Sequence, residues 1–548
     1  MIYISQNCAV EWGYSSSKIY NDPFNEVQLD VRVTAPDGEE QIVPAFWAGE
    51  QTWGVRYASS KVGTHRYRTI CSDESNADLN GQQGTLEVTP YEGNNPLLKH
   101  GPLRVASNCR HLEHRDGTPF FWLGDTWWLG LCKRLKWPED FKELTADRVK
   151  KGFSLIQIVA GLYPDMKPFD ARGANEAGFP WEKDFSRINP YYFDMVDLRI
   201  GHLVRSGLAP CIVGCWGFFM EFAGVQAIKK HWRNLIARYG AYPVVWCTAG
   251  EALMYYYLSS EMERYRKMSL EERIKWLPLL EKRVAWTDVM RSIRETDPYH
   301  HPITVHPTRI GHDQADDPSV MDIDMLQTGH VGYPTLTDTV NMLEDALAHE
   351  PKMPVLVGEV NYEGEYETNR EEIQRFLFWS CILSGATGHT YGAQGIWQVN
   401  TKEKPYGPSP HGLEYGGLSW DDAYRLPGSG QLGLAKKFLE RYEWWQFEPH
   451  PGWVEPHQTK GNRMAPYAAG IPSKVKMVFV PAEVVWLLAN GQVTIKDLEP
   501  GVQYSALYFS PKDGVEYGMG IATGDAQGDY VAPKPPFVQD WVFVLERS

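Results

Sequence analysis

Two glutamates stand where apolar runs end. Val244-Val245-Trp246-Cys247-Thr248-Ala249-Gly250 stops at Glu251, and Val355-Leu356-Val357-Gly358 stops at Glu359. Two carboxyl groups facing one another across a ligand can cleave a glycosidic bond. One, protonated, hands its proton to the leaving oxygen; the other, ionised, attacks the anomeric carbon. Burial and mutual repulsion push the two pKa values apart and so assign the roles. On this reading Glu251 is the acid/base and Glu359 the nucleophile of a double-displacement hydrolysis acting on a glycoside, oligosaccharide or polysaccharide.

The apolar runs alternate with amphipathic stretches. Strands are predicted over residues 120–125, 154–159, 209–215, 244–248, 302–305, 321–327, 354–358 and 385–391. Between them lie helical patterns such as 140–151, 279–295 and 370–383. Another helix opens at Asn189-Pro190, carries Phe193, Val196, Ile200 and Leu203 on one face, and stops at Gly207. Eight alternating units over residues 98–444 predict a (β/α)8 TIM barrel. The competing open doubly wound sheet lacks its GxGxxG after the first strand.

In such a barrel the reacting groups sit at the C-terminal ends of the strands. Reading each end in turn gives Asp125, Trp127 and Trp128, then Gln157, then Trp216. After Glu251 come His306, then Gln327, His330 and Tyr333, then Glu359, and finally His389, Tyr391, Gln394 and Trp397. Asp125, Gln157, His306, His330, Tyr333, Tyr391 and Gln394 are candidate sugar ligands, with Tyr333 placed to orient the nucleophile. Trp127, Trp128, Trp216 and Trp397 are candidate platforms for sugar faces. The plain alternatives are a capping role for Asp125, satisfied hydrogen-bonding histidines, and ordinary core packing for the aromatic residues. Glu363 and Glu365, just past Glu359, read as loop residues.

On either side the pattern changes to short strands broken by turns. Residues 1–95 read as a β-sandwich: Val27-Gln28-Leu29-Asp30-Val31-Arg32-Val33 alternates with period two and leads into the turn Ala35-Pro36-Asp37-Gly38. Residues 445–548 read as a second sandwich, with strands at 475–481, 492–497, 504–509 and 540–545. The 548 residues carry a net charge of −15 and include 21 Trp and 29 Tyr. Such an acidic surface argues against nucleic acid and anionic membranes as partners, and no apolar run is long enough to span a bilayer. The first residues lack a basic region and an apolar core, so no signal peptide is visible. Eight cysteines without CxxC or zinc spacing are expected to be reduced thiols in a cytoplasmic protein, with no metal and no cofactor. A secreted form trimmed of its signal would read the same. A homo-oligomer stays open, and it would be functional if a sandwich strand or loop from a neighbour closed the barrel mouth.

With these residues in hand a family resemblance emerges. Thr118-Pro119-Phe120-Phe121-Trp122-Leu123-Gly124-Asp125-Thr126-Trp127-Trp128 resembles the opening strand of the apiosidase-like glycoside hydrolases, and Pro354-Val355-Leu356-Val357-Gly358-Glu359 is similar to their seventh strand. Residues 34–57 resemble the β-sandwich often found ahead of that barrel, and residues 535–542 resemble the sandwich behind it that carries a collagen-binding label. No residue here supports the collagen label. The resemblance implies a retaining glycosidase with its carboxylates after strands four and seven. Two departures stand out. Apiosidases resemble Gly-Gly-Asp where this chain has Ala249-Gly250-Glu251, a longer acid. The wider clan of retaining barrels places Asn before the acid, where this chain has Gly250. Three other classes compete with this reading. A non-catalytic carbohydrate-binding barrel would have lost one carboxylate, and a metal-dependent barrel hydrolase needs a His-x-His on its first strand or another dense ligand cluster, whereas the first strand shows Asp125 with no His pair beside it. A peptidase would show HExxH or GxSxG, and neither is present.

Overall fold

The computed structural model describes residues 2–548 apart from 367, 413, 414 and 488–491. Its centre is an eight-stranded parallel sheet curled into a barrel. In chain order the strands are β1 (Trp122–Trp127), β2 (Leu155–Val159), β3 (Ala209–Val213), β4 (Val245–Cys247), β5 (Ile303–Thr304), β6 (Asp324–Gln327), β7 (Val355–Glu359) and β8 (Gly388–Tyr391). Strand β8 pairs with β1 in parallel, Trp122 opposite Gly388. The seam falls between β5 and β6. There Thr304 Oγ1 donates to the Ile323 carbonyl at 3.0 Å and the Asp322 N–H donates to the Ile303 carbonyl at 2.8 Å.

The strands read as unbroken apolar runs because a barrel strand is covered on both faces, inside by its opposite strands and outside by helices. The outer layer comprises α1 (Glu139–Lys150), α2 (Pro190–Arg205), α3 (Phe219–Tyr239), α4 (Leu277–Thr296), α5 (Pro334–Leu347), α6 (Glu371–Ile382) and α7 (Pro427–Leu439). Helix α2 starts at a proline, whose missing N–H costs nothing there. It buries Phe193, Val196, Ile200 and Leu203, and ends before Gly207 at φ 83°. Between β5 and β6 the described chain makes only the short 3-10 turns His312–Gln314 and Pro318–Val320, so the seam lies where the outer layer is thinnest. Trp122, Trp127, Trp232, Trp246, Trp286 and Trp379 are fully buried in the barrel and its jacket. Truncating any one to Ala would cost about 3–5 kcal/mol.

Antiparallel sheets flank the barrel. Ahead of it, a five-stranded sheet packs on a three-stranded one around Val31, Val33, Trp53, Val55 and Leu86. Leu29–Thr34 shows the expected alternation, with Leu29, Val31 and Val33 buried. Behind the barrel, a six-stranded and a three-stranded sheet share a core that includes Val478, Tyr508, Trp541 and Phe543. Buried charge fastens both flanks. Arg56 bonds Asp197 of α2 at 3.0 Å and the carbonyl of Arg238 on α3 at 2.8 Å. Arg375 of α6 grips Asp540 with two bonds of 2.7 and 2.9 Å. Among the described residues, no helix is long and apolar enough to cross a membrane.

Three features were not read from the sequence. Ile2–Ser5 and Val10–Ser15 are strands of the first sandwich. A small sheet of Leu103–Val105, Leu112–His114 and Pro119–Phe120 precedes the barrel. The first barrel strand runs Trp122–Trp127 rather than 120–125, and this slide of two residues matters for the site.

Candidate active site

Glu359 is the last residue of β7 and is buried, 4% exposed. Glu251 follows β4 in the left-handed region at φ 41°, a conformation disfavoured for any residue with a Cβ. Gly250 precedes it because the Trp216 ring lies where a side chain would go: a Cβ on Gly250 would sit 2.2 Å from Trp216 Cε3. That packing explains the absent Asn. The indole N–H of the same Trp216 donates to Glu251 Oε2 at 3.1 Å.

One amide joins the pair. Gln327, at the end of β6, points Nε2 at Glu251 Oε1 and at Glu359 Oε1, 3.2 Å from each. The two acceptors can be no farther apart than those bonds end to end, about 6.4 Å. At the roughly 120° between the two hydrogens of an NH2 group they lie about 5.5 Å apart.

The surroundings of the two carboxyls differ. Glu359 Oε2 is 2.9 Å from His306 Nε2, and Oε1 is 2.9 Å from His330 Nε2. Burial pushes the Glu359 pKa up, but the attraction of His306, its hydrogen bond and those of His330 outweigh it and hold the carboxyl well below the usual range. Glu251 has no such partners. Burial first, and the neighbouring Glu359 charge second, raise its pKa above the ordinary glutamate value of 4.5. At neutral pH the site thus favours an ionised Glu359 beside a carboxyl that retains its proton more readily.

The pair opens into a cavity of about 510 Å³ at the C-terminal mouth of the barrel. Trp128, Trp216, Tyr257, Tyr362, Trp397 and Tyr415 supply its aromatic walls. Asp165, Arg266, Glu365 and His411 add polar groups. Trp128 donates its indole N–H to the Tyr362 hydroxyl at 3.0 Å. Among the described residues, no group of three or more His, Cys, Asp or Glu is arranged to hold a metal ion.

Of the residues expected at the site, Glu251, Glu359, Trp128, Trp216, His330 and Trp397 line the cavity. His306 stands directly behind Glu359, fully buried. The remaining candidates point elsewhere. Asp125 lies inside β1, not at its end, so its side chain and that of Trp127 share one face of the strand. That face meets α1: Asp125 pairs with Arg148 at 2.6 Å and accepts the Trp127 indole N–H at 2.6 Å, while Trp127 packs edge-on against Phe141. Both are parts of the barrel jacket, not sugar contacts. Tyr391 likewise faces outward and donates to Glu363 Oε2 at 2.5 Å. Gln157 lies in the barrel interior and donates to the Gly358 carbonyl at 2.9 Å, bracing the residue before Glu359. Gln394 holds the Gly416 carbonyl at 3.2 Å. Tyr333 is 46% exposed at the start of α5 and makes no hydrogen bond to Glu359 among the described residues; His306 and His330 hold Glu359 instead. Asp165, Tyr257, Tyr362, His411 and Tyr415 come from loops with no periodicity to mark them, Arg266 comes from the short helix Ser260–Lys267, and none was singled out in the sequence, where Glu365 read as a plain loop residue.

An eight-stranded barrel with a carboxylate pair in an aromatic-walled mouth defines the class, a TIM-barrel glycosidase. Residues 106–446 match the model of the apiosidase-like catalytic domain, and the chain belongs to that family. Residues 5–72 match a domain of unknown function, DUF5060. The fold is similar over the whole of both chains to that of a protein from Bacteroides vulgatus ATCC 8482 described as a glycoside hydrolase, with a TM-score of 0.69 at 15% identity. It is also similar to a second glycoside hydrolase, with a TM-score of 0.65 at 21% identity over 83% of this chain and 99% of that one. A family 5 glycoside hydrolase from the same Bacteroides strain gives a TM-score of 0.65 at 21% identity, over 83% of this chain and 95% of that one. At these identities the likeness is one of fold. No functionally curated protein matches the sequence.

Proposed function

We propose that this protein is a retaining glycoside hydrolase in which Glu359 is the nucleophile and Glu251 the acid/base. The observation that carries the reading is the shared Gln327 amide, 3.2 Å from an oxygen of each carboxyl. Retaining enzymes hold their carboxyls roughly 5–5.5 Å apart, whereas inverting enzymes need about 6.5–9.5 Å to admit a water between sugar and base. The spacing of about 5.5 Å between the two oxygens that Gln327 bridges supports the retaining reading.

In the first step a Glu359 oxygen attacks the anomeric carbon, the glycosidic C–O bond breaks, and the Glu251 proton passes to the departing oxygen. In the second, a water attacks the same carbon, Glu251 takes its proton, and the Glu359–sugar ester bond breaks. The electrostatics support this division of roles: His306 and His330 favour ionised Glu359, and burial beside Glu359 makes Glu251 hold its proton more readily. The aromatic walls suit the apolar faces of sugar rings. Glu251 is one methylene longer than the Asp of the apiosidase pattern, so the leaving group sits differently from an apiosidase's.

The test is hydrolysis of a panel of pyranosides, furanosides and plant and bacterial oligosaccharides by wild type, Glu251→Gln and Glu359→Gln. Proton NMR of the first-formed anomer accompanies it. The reading requires both variants to lose activity and the first anomer to match the substrate. Two folded variants that cleave as wild type does would overturn it.

A further inference from the structure

We propose that Glu365 is a positioning residue for the nucleophile: facing the far nitrogen of the His330 ring, it completes a carboxylate–imidazole–carboxylate line that holds the ring on Glu359. The proposal rests on the reading of Glu359 as nucleophile given above.

The line is built from two loops. His330 comes from the segment after β6, and Glu365 from the segment after β7. His330 Nε2 is 2.9 Å from Glu359 Oε1, and Nδ1 is 3.6 Å from Glu365 Oε2, an ion-pair distance. Both Nδ1 and Oε2 are shut off from solvent, and neither has a hydrogen-bond partner among the described residues. A buried ring N–H without an acceptor and a buried carboxylate without a cation are each costly. Here each is the other's remedy. The ring is fixed in other ways too: Tyr362 packs beside it with centroids 4.7 Å apart, and Asn369 Nδ2 donates to the His330 carbonyl at 2.7 Å. A ring with a carboxylate at each nitrogen carries two N–H groups and a positive charge, and that charge favours ionised Glu359.

Among the described residues, the titratable groups that act on Glu365 are His330, Glu359, Tyr362, Tyr366 and, from the loop after β8, Tyr415; Glu251 also acts on His330. Burial pushes Glu365 up to about 7. Burial alone would lower His330, but the hydrogen bond to Glu359 and the charges of Glu359 and Glu365 raise it above its ordinary value of 6.5. As the pH rises through about 7, Glu365 gains its charge and the line tightens.

The experiment is ¹⁵N NMR of the full-length protein labelled at histidine, with the His330 ring assigned by its loss in His330→Asn. In the wild type the ring should keep both protons to a pH above the ordinary histidine value of 6.5. In Glu365→Gln the ring should lose its proton about one pH unit or more lower, and kcat should fall about tenfold with little change in KM. Glu365→Asp should lie between the two. A wild-type ring that titrates at or below 6.5, or a ring titration in Glu365→Gln that matches wild type, overturns the proposal; the first holds even if the glutamine variant does not fold. The titration needs no substrate. Folded Glu251→Gln and Glu359→Gln variants that cleave as wild type does therefore contradict the proposed function and leave the titration intact, so the two failures are told apart.

Discussion

Glu251 and Glu359 share one hydrogen-bond donor, the Gln327 amide, and almost nothing else in their surroundings is alike. Glu359 is held between two imidazoles, while the other donor to Glu251 is a neutral indole. Identical side chains a few ångströms apart thus receive opposite instructions about their protons.

Removing the shared donor is the simplest perturbation. In Gln327→Ala the two carboxyls face each other without the amide that fixes their spacing. Steady-state kinetics should show kcat/KM lower by about ten- to a hundredfold. Circular dichroism should be unchanged, because the hydrogen bonds of this side chain go to the two carboxyls.

The pH profile of kcat/KM should be bell-shaped. Activity requires Glu359 ionised and Glu251 protonated. The acidic limb therefore follows the lowered Glu359 and lies below the usual carboxyl range, and the basic limb follows the raised Glu251 and lies above 4.5. In His306→Asn, Glu359 loses its strongest attraction, so its pKa rises and the acidic limb should move to higher pH. An acidic limb that stays in place would contradict the role given to His306.

Trp216→Phe removes the indole N–H that Glu251 accepts, a bond that works against the raised pKa of this carboxyl. Its loss should move the basic limb of the same profile to higher pH and leave the acidic limb where it was.

Asp125→Asn separates stability from catalysis. Asp125 and Arg148 are both fully buried, 2.6 Å apart. Breaking a buried pair from one side costs up to about 3–5 kcal/mol; Arg148 keeps Asp147 as a second carboxylate partner, so the loss should fall toward or below the lower end. Calorimetry should record a lower unfolding temperature, and KM for the substrate should be unchanged in the folded variant. A selective rise in KM would return Asp125 to the sugar site.

The barrel was legible because strands covered on both faces leave unbroken apolar runs, and the residue that ends such a run is displayed at the mouth. Glu251, Glu359, His330 and Trp216 were found in this way. The same rule misplaced Asp125. The run does not end there: Trp127 continues the strand, and period two turns both side chains toward Arg148 and Phe141. Tyr391 was displaced in the same manner, turned outward to Glu363. Asp165, Tyr257 and Tyr415 left no local trace, since only the tertiary fold brings their loops over the cavity. Gly250 was noticed as a missing Asn. Its cause, the Trp216 ring 2.2 Å from where a Cβ would be, is a contact across more than thirty residues of chain.

The central claim is a covalent intermediate on Glu359. It is tested most directly by incubating the protein with an activated 2-deoxy-2-fluoro glycoside of the sugar it cleaves, then digesting it and sequencing the labelled peptide by mass spectrometry. The account requires one sugar per chain, attached to Glu359, and faster accumulation in wild type than in His330→Asn. A label on Glu251, or no label with an inverted first product, would contradict it.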